Sequence, residues 1–158
     1  MSENLSILQK KLNNLVRMQA DVRHSISKMA GPLATTKQGN VSALTLEERE
    51  TISAFTTRFA TYQEQMGKSM KSVAIEEESA TSPFGAVLAL MEKLHILDDL
   101  EKWKLVRELR DSVNHEYEDD ANELHQILSS MVASVPWLIA THERLISFVK
   151  DNYGLNCL

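Results

Sequence analysis

Leu5, Leu8, Leu12, Leu15, Gln19, Val22, Ile26 and Met29 recur alternately three and four positions apart. An α-helix turns once every 3.6 residues, so this spacing gathers the eight side chains into one stripe, apolar except at Gln19. A strand would need alternation with period two, which is absent here. The stripe predicts a first helix over residues 1–30, with a seam like that of a coiled coil. Gly31-Pro32 reads as its stop, because glycine suits a helix C-terminus and proline cannot continue the ladder. Such a seam must be covered, either by the rest of the chain or by a second copy.

The same periodicity returns further on. Residues 31–44 are rich in Thr, Gly, Gln, Asn and Ser, have no period and read as a loop. Thr45-Leu46-Glu47-Glu48 is a capping box opening a helix marked by Ile52, Phe55, Phe59, Tyr62, Met66 and Met70, running to about Glu77. Arg58 and Lys68 on that helix read as solvated. Ser82-Pro83 reads as an N-cap followed by proline in the first helical position. Phe84, Val87, Leu88, Met91 and Leu94 then give a short helix. His95 reads as lining a turn, and Asp98 or Asp99 starts a helix that buries Leu100, Trp103, Val106, Leu109 and Val113. Leu124 to Val132 form another helix, and Pro136 restarts or kinks the chain into a last helix ending near Gly154, with Ser134 as a candidate cap. The expected fold is all-α, an antiparallel bundle of about five or six helices in a single domain spanning 1–158, with 45–153 forming the bundle beyond the first helix and loop.

Composition narrows the function classes. The formal net charge of −5 argues against a general polyanion-binding surface, but leaves room for a small basic cleft near Lys102, Lys104, Arg107 and Arg110. The one cysteine, Cys157, allows no disulfide within the chain and reads as a tail thiol. No signal peptide opens the sequence, and the longest apolar patch, Met131–Ala140, falls short of a membrane span. A soluble cytoplasmic protein without membrane contact is expected. No Gly-rich phosphate loop or Cys/His zinc set is present, and His142 has no carboxylate at a metal-ligand spacing.

The chemistry-bearing stretch is RELRDSVNHEYEDD, residues 107–120. Arg110 is followed after four residues by His115, and after one more by Tyr117. Arginine presents a planar fork of donors that fits a phosphate. Histidine moves protons near neutral pH. Tyrosine adds a hydroxyl that can be modified. This set can carry phosphoryl chemistry with neither metal nor cofactor. The bland reading is a helix surface with a half-buried ring, and a looser Arg–His spacing, Arg17 with His24, is coincidental. On an ideal helix Arg110 and Tyr117 lie nearly in line, whereas His115 is turned about 140° from Arg110. One helix therefore does not close an Arg–His site, and a second copy of the motif could supply the missing face.

RDSVNHEY resembles the Arg-x4-His-x-Tyr motif of the HepT-like toxins in the HEPN superfamily of helical ribonucleases. The resemblance extends over Met91–Tyr117 and, in the preceding long helix, over Arg58-Phe59, Gln63 and Met66-Gly67-Lys68. It covers roughly two thirds of the chain; residues 1–41 match by pattern only. It implies a HEPN-like bundle, a homodimer with two motifs facing across the interface, and an endoribonuclease toxin of a toxin–antitoxin pair acting on RNA. Arg110 and His115 would be catalytic, the first clamping phosphate and the second acting as acid–base. Asp111 and Asn114 would support them, Asp111 by orienting His115. A separate MntA-like nucleotidyltransferase antitoxin would neutralise the toxin by adenylylating Tyr117. Asp111 stands where the family most often has Asn, and His95 where it often has Gly. The alternative is a non-catalytic helical partner of a nucleotidyltransferase, binding a nucleotide or its substrate.

Overall fold

The computed structural model describes residues 1–111 and 118–156. Among them are six α-helices, one short 3-10 turn and no strand. The helices are α1 (Glu3–Ile26), α2 (Ala30–Lys37), α3 (Leu46–Glu76), α4 (Phe84–Lys93), α5 (Leu100–Asp111) and α6 (Ala121–Tyr153). The all-helical bundle is as the periodicity requires.

The α1 seam is interior. Leu8, Leu12, Leu15, Val22 and Met29 are buried, and α1 packs along α3 with α6 at its side. Its polar interruption has a partner: the Gln19 amide reaches His142 Nδ1 at 3.0 Å and the Tyr62 hydroxyl at 3.4 Å. Tyr62 and His142 meet at 2.7 Å, so α1, α3 and α6 share one polar knot inside an apolar core.

Three local expectations are corrected. Residues 31–44 are not a loop throughout: Ala30–Lys37 is helical and Val41–Ala43 is a 3-10 turn. Gly31-Pro32 therefore opens α2 rather than closing α1, which ends at Ile26. Proline fits there because first-turn N–H groups have no intrahelical acceptor. Pro83, not Ser82, occupies the N-cap of α4, with an extended backbone and no side-chain cap bond. The third concerns Pro136, which neither restarts nor ends the last helix; α6 runs through it for 33 residues. Ser134 is not a cap, since its hydroxyl donates back to the Ser130 carbonyl at 2.7 Å. Burial of Leu124, Leu128, Met131, Val135, Leu138, Leu145 and Val149 along one face outweighs the single backbone bond that proline removes. By length and composition α6 could cross a membrane, but these side chains form a bundle core, which is compatible with a soluble protein.

The helix ends follow local chemistry. Thr45 and Glu48 close the expected capping box at 3.0 and 3.1 Å. Asp99 caps α5 by accepting from Lys102 N at 3.0 Å, and Asp120 caps α6. At the end of α4, His95 takes φ +62°, His95 N donates to Glu92 O, and Ile96 N donates to Met91 O. That paired closure requires a left-handed residue, a position glycine fills without a Cβ clash. His95→Gly should accordingly stabilise the fold by about 1 kcal/mol, read as a higher urea midpoint at unchanged slope.

Candidate functional site

The face of α5 carrying Trp103, Arg107 and Arg110 follows from spacing i, i+4, i+7, which aligns side chains on one side of a helix. That face lies over α3, where Gln63, Gly67, Lys68 and Lys71 form a matching row. Between them, with Phe84 of α4 at one wall, is a groove of about 220 Å³. Trp103 is buried, and Gly67 lets the aromatic walls close in: a Cβ there would lie 3.4 Å from Phe84 Cζ and 3.6 Å from Trp103 Cζ2.

The groove concentrates positive charge on an acidic chain. Lys68, Lys71, Arg107 and Arg110 line it, against one carboxylate among the described residues, Glu64, which pairs with Lys68 at 3.4 Å. Lys71 and Arg107 form no ion pair among the described residues. Arg110, with a side chain about 20% exposed, donates from Nε and from a terminal nitrogen to Asp111 Oδ1 at 3.1 and 3.0 Å. Among the described residues, three of the five guanidinium N–H donors have no acceptor. Asn114, His115, the expected partner of Asp111, and Tyr117 lie outside the described residues, as does Cys157.

The basic cluster before the motif divides. Arg107 and Arg110 face the groove. Lys104 pairs with Glu101 at 3.5 Å, and Lys102 lies over the Trp137 ring at 5.2 Å, away from it. On that opposite side, α5 and α6 enclose a cleft of about 430 Å³ beside Leu105, an apolar side chain 61% exposed. Trp137 donates to Asp98 at 2.8 Å and Arg144 to the Ile96 carbonyl at 2.9 Å, which fixes the turn leading into α5.

Comparison with protein-family models, curated proteins and solved structures finds no match. The site therefore rests on its own geometry.

Sequence reasoning missed Gln63, Lys68 and Lys71 as groove residues. Lys68 is indeed exposed, yet it stands at the rim. Arg58 is half-buried rather than free, donating to the Ser25 hydroxyl at 2.9 Å. Gln63, Gly67, Lys68 and Lys71 share one side of α3 by their spacing, but that row does not differ in sequence from an ordinary solvated helix face. His125 is half-buried on α6, hydrogen-bonded with Thr36 at 3.0 Å and Ser129 at 3.4 Å, and does not line the groove. His142 is buried at 1% exposure, and burial lowers its pKa to about 4. It serves the core and lies apart from the groove lining.

Proposed function

We propose that the chain is a HepT-like endoribonuclease toxin of a toxin–antitoxin pair, active as a homodimer without a metal. The observation that carries the reading is the groove that joins Arg110 to Arg107, Lys68 and Lys71 immediately before the segment holding His115 and Tyr117. Cleavage through the ribose 2′-OH needs a base for that hydroxyl, charge stabilisation for the phosphorane, and an acid for the departing 5′-oxygen. Arg110 and its cationic neighbours supply the second, preorganised by Asp111. His115 supplies the proton transfers, with Asn114 beside it. The α1 seam is consumed within the chain, so two copies would meet elsewhere; the exposed Leu105 beside the α5–α6 cleft offers apolar surface on the same helix as Arg110. Adenylylation of Tyr117 by an MntA-like nucleotidyltransferase would place a phosphate near Arg110 and repel RNA.

The test is RNA cleavage by the purified chain in EDTA, with the products analysed for a 2′,3′-cyclic phosphate. His115→Ala should be folded and inactive. Full activity in that variant, or activity lost to chelation and restored by a divalent ion, would reject the mechanism. Tyr117→Phe should keep toxicity and escape neutralisation; mass spectrometry of toxin co-expressed with its antitoxin should find the adenylate on Tyr117.

A second reading has one observation in its favour. Asp111 occupies two Arg110 donors, which weakens a phosphate clamp and suits a non-catalytic nucleotide-binding partner of a nucleotidyltransferase. Nucleotide binding with no cleavage under any condition would select it.

A further inference from the structure

The groove floor contains an unanswered polar group. Gln63 is 1% exposed, and its buried Oε1 has no hydrogen-bond donor among the described residues. Buried side-chain oxygens are almost always paired, because leaving one unpaired forfeits its hydration with nothing in return. Ser69 and Thr141, also buried on α3 and α6, donate to the Gln65 and Trp137 carbonyls, and the other unpartnered buried atom among the described residues, His142 Nε2, lies in the core away from the groove. Gln63 differs in lining the cationic groove.

We infer that the groove is a nucleotide subsite that selects an amino-bearing base, cytosine or adenine, through the Gln63 carbonyl oxygen. The parts are complementary to such a ligand. Lys71, Arg107 and Arg110 meet the phosphate at the rim, while Phe84 and Trp103 form flat apolar walls for a ring. Gln63 accepts from the exocyclic amine of cytosine or adenine; uracil and hypoxanthine place a carbonyl oxygen at the same position and would set two acceptors face to face. At about 220 Å³ the groove is below the usual size of a drug-like pocket, so it takes one base rather than a stacked pair. Glu64, neutralised by Lys68, does not oppose the phosphate. The inference deepens the ribonuclease reading by naming the base held beside Arg110, but binding itself requires no cleavage.

The same chemistry comes from a free nucleotide or from RNA, and two arms separate them. In the first, the full chain is titrated calorimetrically with CMP, UMP, AMP, IMP and inorganic phosphate. CMP and AMP should bind about tenfold more tightly than UMP and IMP, the effect of one well-placed hydrogen bond. In the second, 2′-O-methyl oligonucleotides of C and of U, which cannot be cut through the 2′-oxygen, are compared; preference for C in both arms identifies RNA as the source, and preference among mononucleotides alone identifies a free nucleotide. Gln63→Leu should erase the preference, leave phosphate affinity unchanged and raise the melting temperature, whereas a glutamine that served only packing would leave selectivity untouched. Equal affinity for CMP and UMP in wild-type protein overturns the inference without need of any variant. If His115-dependent cleavage accompanies that equality, the ribonuclease reading survives alone; selective binding without cleavage leaves this inference standing and removes the other.

Discussion

Lowering the pH from 6.5 to 4 should cost the folded protein about 3 kcal/mol through His142 alone. In the unfolded chain its imidazole takes a proton near pH 6.5, whereas burial among α1, α3 and α6 holds the folded pKa at about 4. Between those values the unfolded state binds more protons, so stability falls as pH falls. It is fully present above pH 6.5 and levels out below 4. Nδ1 of the neutral ring can accept from the Tyr62 hydroxyl at 2.7 Å and the Gln19 amide at 3.0 Å; protonation would set a new N–H against the Gln19 donor. Urea denaturation at several pH values checks this. The Tyr62→Phe, His142→Leu double variant removes both partners and should lose most of the slope in that window. An unchanged slope would show that carboxylates, not His142, set the acid sensitivity.

On the proposed ribonuclease reading, Arg110→Ala should reduce RNA cleavage by about 10²–10³-fold, the usual cost of removing one preorganised charge-stabilising donor. The chain should remain folded, since its stability rests on Trp103 and Val106 rather than on this partly exposed side chain. Arg110→Lys should restore little, because an ammonium cannot reproduce the fork that holds Asp111 and phosphate together. Asp111→Asn separates two roles for the neighbouring carboxylate. If Asp111 only competes for Arg110, the amide should raise activity. If Asp111 orients His115, activity should collapse. Cleavage rates of these three variants, measured beside wild type, decide the matter.

Local chemistry was legible from sequence, and long-range chemistry was not. The Thr45–Glu48 box and the Asp99 cap involve residues three apart and form as read. Gly31-Pro32 was ambiguous, because the pair that cannot continue one helix is equally suited to begin the next. Pro136 was misjudged because a local penalty was weighed without the apolar face that pulls α6 together on both sides of it. Arg110 stood out by its spacing from His115 and Tyr117. Gln63, Lys68 and Lys71 did not, because a helix surface becomes a groove wall only when another helix is laid across it. No pattern within α3 says that α5 lies there.

The N-terminal helix gives this chain a dependence that its motif conceals. Every described groove residue lies between Gln63 and Arg110, and none belongs to α1. Yet α1 roofs the side of α3 that holds Ile52, Phe55, Phe59 and Tyr62, and Asn4 ties its start to the Ser72 carbonyl and Glu76 at 2.9 Å. A chain beginning at Thr45 would retain all the chemistry and lose the object that holds it in place. Mutations that disturb the groove need not fall near Arg110; a charge placed at buried Leu12 or Leu15 would unsettle it from the far side of the bundle.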